Sequence, residues 1–265
     1  MAITTIDGLV AAARQTVLLQ KTASRTSVAS IPFGIFDQTG NPGAGTLAIG
    51  NTTNGVVPTD ATTGYPLLNA FGSGATGYLA CVDFGNTVAC RMALYDTLFA
   101  AGAFAFNAAA TLATIPSYSS RVPGGTDFTG TEIWIEAVTA FTGNQTISVG
   151  YTNQSGTASR STGAIATGVA PTIGRMLRLP LQAGDSGVQV INTVTSTVST
   201  VGTFNVYVLR PLWSGRVRAV NDGDVHGWDK TGLPQVWADS ALRVIVTADS
   251  TATGLPELQL EIVNG

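Results

Sequence analysis

Glu132–Gln154 reads EIWIEAVTAFTGNQTISVGYTNQ, and its alternation decides the fold class. Ile133, Ile135 and Ala137 alternate with Glu132, Trp134 and Glu136, and a second alternation places Ile147, Val149 and Tyr151 on one face. A period of two marks a strand with one buried face. Between the two runs, Gly143-Asn144 supplies residues that accept positive φ, so the stretch predicts a β-hairpin.

The same pattern recurs outward from it. Strands are expected at Ile31–Phe36, Met176–Leu181, Val188–Val198, Thr203–Leu209, Leu242–Ala248 and Leu258–Val263, and a second hairpin joins Tyr78–Phe84 to Thr87–Leu94 across Gly85-Asn86. Many strands with Gly-rich turns predict a mainly β chain, a β-sandwich of jelly-roll type. Two helices are expected beside it. Thr4-Thr5-Ile6-Asp7 reads as a cap and acidic first turn, after which Ile6, Leu9, Val10, Ala13 and Val17 recur at helical spacing, giving an N-terminal amphipathic helix over 4–19. A short internal helix is expected at Tyr95–Phe99. The domain expectation is a helix and linker arm over 1–30 and a single β-sandwich body over 31–265. The Gly/Pro/Thr-rich 37–66 segment is long for a plain connection and predicts either short strands or an extended surface loop that serves contacts.

Composition bounds the function. Only 11% of the 265 residues are charged, against 45% hydrophobic, and the net charge is −3. A surface with so little charge to desolvate suits packing against other copies. Without a basic run, nucleic acid is not an expected partner. The first positive residue is Arg14, so no signal peptide is expected and an intracellular origin is favoured. Leu98–Ile115 approaches membrane-spanning length but is broken by Gly102, Asn107 and two threonines, so a buried segment is expected rather than a membrane span. Cys81 and Cys90 read as buried thiols, with pairing across neighbouring strands the alternative.

Four motifs are candidates for chemistry. Gly184-Asp185-Ser186-Gly187 matches the surroundings of a protease serine, but the sole histidine, His226, follows it in the chain, and the four residues suit a turn. Gly72–Gly77 fits a dinucleotide pattern literally yet precedes a strand, where the pattern has no helix N-terminus to offer. Asn221–Asp229 gathers three carboxylates and His226 without the spacing of a calcium loop, so a solvated loop is expected. Glu132/Glu136 and Glu257/Glu261 share faces, but four strand residues put them about 13 Å apart, beyond either glycosidase geometry. No catalytic, cofactor or metal residues are therefore expected.

Four stretches carry a resemblance: Arg91–Phe99 (RMALYDTLF), Tyr151–Arg160 (YTNQSGTASR), Leu181–Val188 (LQAGDSGV) and Leu209–Leu212 (LRPL). In this order they resemble a little-characterised family of tailed-bacteriophage virion proteins encoded in the head-gene region. The resemblance implies a non-enzymatic capsid decoration or minor capsid protein, located in the virion, that partners the major capsid protein and copies of itself as a homo-oligomer. The expected assembly interface is the helix face of Leu9, Val10, Ala13 and Val17, or the 37–66 loop. The alternative is a carbohydrate-binding or host-adsorption tail module, with Trp134, Trp213, Trp228 and Trp237 as stacking residues.

Overall fold

The N-terminal helix stops a turn and a half after it starts. In the computed structural model, which describes residues 3–47, 50–107, 109–168, 172–197 and 201–265, α1 spans Ile6–Ala11, with Gly8 N donating to the Thr5 cap hydroxyl at 3.0 Å. The chain then turns extended as β1 (Ala13–Lys21). This corrects the helix expected over 4–19. Thr16, Val17 and Leu18 bring β-branched and apolar residues whose alternate burial matches a strand, and β1 pairs over eight residues with the C-terminal strand, Ala13 opposite Asn264 through Gln20 opposite Glu257. A short helix is marginal by itself, and this ladder outweighs it.

Further along come β2 (Pro32–Gly34), β3 (Gly40–Asn41), β4 (Gly77–Asn86), β5 (Cys90–Ala105) and β6 (Ala109–Thr111). The opening stretch forms β7 (Glu132–Thr139) and β8 (Thr146–Asn153), followed by β9 (Arg160–Ser161), β10 (Ile165–Ala166) and β11 (Met176–Leu179). The remainder is β12 (Val188–Ser196), β13 (Thr203–Val217), β14 (Asp222–His226), α2 (Trp228–Thr231), β15 (Gln235–Val236), β16 (Leu242–Ala248) and β17 (Glu257–Asn264). Val198 of the expected strand 188–198, Ala48 and Ile49 of the 37–66 loop, and Ala108 of the 98–115 segment lie outside the described residues.

The chain forms two units, one from residues 1–45, 59–96 and 212–265, the other from 46–58 and 97–211, and it passes between them after residues 45 and 58 and again inside β5 and β13. Each unit is a β-sandwich. In the first, a sheet ordered β14-β4-β17-β1-β3, with β15 also on β4, packs against β2, β16 and the parts of β5 and β13 that belong to this unit. Val17, Leu79, Phe84 and Leu260 from one side meet Met92, Leu94, Trp213 and Val246 from the other. In the second unit, β10-β8-β12-β6, with β9 on β8, packs against β11, β7 and the rest of β13 and β5. Val149, Ile191 and Val194 there meet Ile133, Ile135, Phe104 and Val206.

The expected hairpin is not one. Its two strands exist, but β7 pairs with β11 and β13, while β8 pairs with β10, β9 and β12. Phe141, in the connection, is buried with its ring 3.9 Å from that of Phe106, so the link passes through the core edge and delivers the chain to the opposite sheet. The 78–94 pair behaves likewise: β4 bonds to β17, β14 and β15, and β5 to β16. Alternation states which residues face inward; it does not state which strand lies alongside. The short helix expected at Tyr95–Phe99 is also corrected. Those residues lie within β5, where Asp96 pairs with Leu242 and Leu98, Phe99, Ala100 and Ala101 are fully buried. A strand covered on both faces loses its alternation.

Candidate functional site

A cleft of about 680 Å³ in the second unit is bounded by Thr131, Glu132, Arg178, Pro211 and the Leu181–Ser186 loop. The loop is the Gly-Asp-Ser-Gly motif, and Asp185 is its centre. Its carboxylate accepts from Tyr151 Oη at 2.7 Å, Asn153 Nδ2 at 2.7 Å, Arg160 Nε at 2.9 Å and Arg160 Nη2 at 3.0 Å. The Arg160 hydrogen bonds, with those from Tyr151 and Asn153, bring its pKa down to about 2. Burial, and then the hydrogen bond to Asp185, push the Tyr151 phenol up to about 12.

The rest of the loop is held by the same strand end. Tyr151 Oη accepts from Gln182 N at 2.7 Å. Gln154 Oε1 accepts from Ser186 N at 3.0 Å and Gly187 N at 3.2 Å. Asn153 Oδ1 accepts from Ser155 N and Thr157 N, which folds the 153–157 turn. The end of β8 and the residue after it thus supply three polar side chains, at 151, 153 and 154, that organise a turn some thirty residues downstream. A carboxylate with four donors is a structural anchor. It is acid-base inert near neutrality, because its lone pairs are committed and its pKa is far from 7.

The structure separates the residues that sequence grouped as possible chemistry. Ser186 is exposed in the second unit, whereas His226 belongs to the first, where its Nδ1 accepts from Trp213 Nε1 at 2.9 Å. Glu132 accepts from Trp134 Nε1 at 2.8 Å and pairs with Arg178 at 3.1 Å, and Glu136 is fully buried, accepting from Tyr207 Oη at 3.0 Å. Glu261 pairs with Arg14, and Glu257 accepts from Gln20 Nε2 at 2.9 Å. Within 221–229, Asp224 accepts from its neighbour Val225 N at 2.8 Å, and β14 pairs with β4 instead of forming a free loop. Among the described residues, no group of three or more His, Cys, Asp or Glu side chains is placed to hold a metal ion. Gly72–Gly77 leads directly into β4. Cys81 and Cys90 are free thiols. Among the described residues no helix is long and apolar enough to cross a membrane.

The expected interface residues do not share a face. Leu9 is buried against Ala80 and Val263, Val17 lies in the core of the first unit, and Val10 and Ala13 are exposed. The 37–66 segment packs on its own chain at several points: Leu47 and Tyr65 are buried, Val56 bridges to Ala100, and the fully buried Arg121 donates to the Pro58 carbonyl and, at 2.7 Å, to that of Thr97. Of the tryptophans, Trp134 and Trp213 are buried, Trp237 is half-buried, and Trp228 is 49% exposed. The Arg160–Asp185 pair leaves no local signal, its members lying 25 positions apart, whereas the alternation of Arg216 and Arg218 with Val217 at the end of β13 is visible in the chain itself.

No family model matches the chain, and no curated protein does. Among solved structures, it is similar to the infectious bursal disease virus VP2 subviral particle, at 9% identity over 96% of this chain and 80% of that one, with a TM-score of 0.23. It is also similar to the unassembled KI polyomavirus VP1 pentamer, at 10% identity over 95% of this chain and 94% of that one, TM-score 0.19. PirA aligns at 18% identity over 30% of this chain and 68% of that one, TM-score 0.16. Overlap at this level does not establish a common fold, so the role of the chain is argued from its own residues.

Proposed function

We propose that the chain is a non-enzymatic structural protein of a virus particle, and specifically a decoration protein that binds the outer shell of a tailed-phage head. One observation carries the proposal. Two of the stretches that resemble phage virion proteins, 151–160 and 181–188, meet in one hydrogen-bonded scaffold around Asp185. The resemblance therefore covers a loop tied down by side-chain hydrogen bonds, with both oxygens of the Asp185 carboxylate engaged. A surface of low charge and a fold of two sandwiches support the same role, since many modest contacts repeated across a symmetric shell add through avidity. Its partners on this proposal are the major capsid protein and further copies of itself. Quantitative mass spectrometry of purified virions tests it: hundreds of copies per particle are expected, and a handful would move the chain to the tail or portal.

The carbohydrate-binding tail module keeps one specific point in its favour, the exposed indole of Trp228 at the start of α2. Glycan binding abolished by Trp228→Ala, with the fold intact, would select that role.

A further inference from the structure

The first unit carries opposite charge on the outer faces of its two sheets. Arg216 and Arg218 alternate with the buried Val217 at the end of β13, and Arg91 is exposed at the start of the neighbouring β5. The three guanidinium groups border one groove of about 290 Å³, with Asp224 and His226 at its rim. Arg216 is partnered, at 3.4 Å, by Asp249. Among the described residues Arg91 and Arg218 make no ion pair. On the other sheet, Asp83 on β4 and Glu257 and Gln259 on β17 are exposed and border a second groove of about 360 Å³, whose floor is opened by Gly85 and Gly223. Asp83 makes no ion pair among the described residues, and Glu257 has only the neutral amide of Gln20. The basic groove and the acidic groove, each bordered by residues of β14, give the first unit two surfaces of opposite charge.

We infer that a second copy of this chain docks here, its Asp83–Glu257 groove facing the Arg91–Arg216–Arg218 groove of the first. This rests on the assembly role proposed above and names the contact between copies. Guanidinium forks match carboxylates in geometry, and among the described residues the Asp83 and Glu257 carboxylates make no ion pair. Because the two grooves differ, a single contact leaves one groove free on each copy, acidic on the first and basic on the second, so copies add head to tail into rings or rows. Exposed ion pairs are individually weak and screened by salt, so the contact gains strength from repetition on a shell.

Sedimentation velocity of the full chain over a concentration series tests this directly. Association is expected at low salt and should weaken about tenfold or more as added salt shrinks the Debye length from about 10 Å toward 3 Å. Arg91→Glu/Arg218→Glu and Asp83→Lys/Glu257→Lys change exposed side chains only, and each variant alone should stay monomeric. An equimolar mixture of the two variants should associate again, because one presents two acidic faces and the other two basic ones. A wild-type chain that is monomeric at low salt, variants that associate like the wild type, or a mixture that does not recover would each overturn the inference. High virion copy number together with a monomeric chain would overturn this contact while leaving the decoration role standing.

Discussion

Removing one oxygen atom from the Asp185 scaffold is a sharp test of its rigidity. Tyr151→Phe keeps the ring, which is fully buried, and deletes the hydroxyl that donates to Asp185 at 2.7 Å and accepts from Gln182 N at 2.7 Å. A hydrogen bond to a charged acceptor is worth about 1.5–3 kcal/mol, and the Gln182 amide sits in an exposed residue where water can replace the lost acceptor, so the expected loss is about 2–3 kcal/mol. Tyr118→Phe provides the internal control. That hydroxyl, equally buried, donates to the neutral Val188 carbonyl at 2.9 Å; once it is removed, the single Thr131 Oγ1 proton, shared with the Phe128 carbonyl at 2.7 Å, turns to the Val188 carbonyl at 3.1 Å, and Phe128 keeps the Thr131 amide. With no charge involved and the acceptor still satisfied, the expected loss is about 0.5–1.5 kcal/mol. Urea unfolding followed by two probes separates the variants, with two probes needed because a chain of two units need not unfold in one step. Equal losses, or a larger loss for Tyr118→Phe, would refute the assignment of Asp185 as the anchor of the loop.

Four further outcomes are expected. Asp185 is held at about 2 against an ordinary 3.8, so the stability it contributes is complete above pH 4 and is lost as pH falls from about 4 to 2; Asp185→Asn should flatten acid unfolding in that window. Burial lowers Lys21 from 10.5 to about 8, so the unfolded chain binds more protons between those values and stability should rise with pH across them, a slope that Lys21→Met should remove in alkaline denaturation curves. A Cβ at Gly187 would collide with the Phe128 carbonyl, whereas at Gly184, with φ of +90°, it would meet nothing within 4 Å; Gly187→Ala should abolish soluble expression, and Gly184→Ala should cost only about 1–2 kcal/mol of backbone strain by chemical denaturation. Deleting residues 1–11 should leave a folded chain with the circular dichroism of a β protein, whereas deleting 1–20 removes the strand between β17 and β3 and should not.

Much of the candidate site was in the sequence as separate pieces. Gly184–Gly187 was legible as a turn, and the alternation of Ile147, Val149 and Tyr151 already turned the Tyr151 ring inward. What could not be read was that the Tyr151 hydroxyl and the Asn153 amide reach Asp185, more than thirty residues away, since polar pairs between loops leave no period in the chain. The carboxylates on β7 show the opposite case. Glu132 and Glu136 sit opposite the apolar face of the alternation, yet β7 is covered on both sides, and Glu136 is fully buried against Tyr207.

By itself the sequence determined the β class and most of the strands: Leu242–Ala248 is β16 to the residue, and the alternations of 132–138 and 147–151 lie within β7 and β8. Side-chain period and turn chemistry are local, and they survive in any arrangement of the strands. Only the tertiary structure decided that consecutive strands cross between sheets, that Ala13–Lys21 joins a ladder instead of continuing a helix, and that the chain builds two sandwiches. Those outcomes depend on long-range ladders, such as β1 on β17, and on core plugs such as Phe141, whose partners lie too far along the chain for any local pattern to announce.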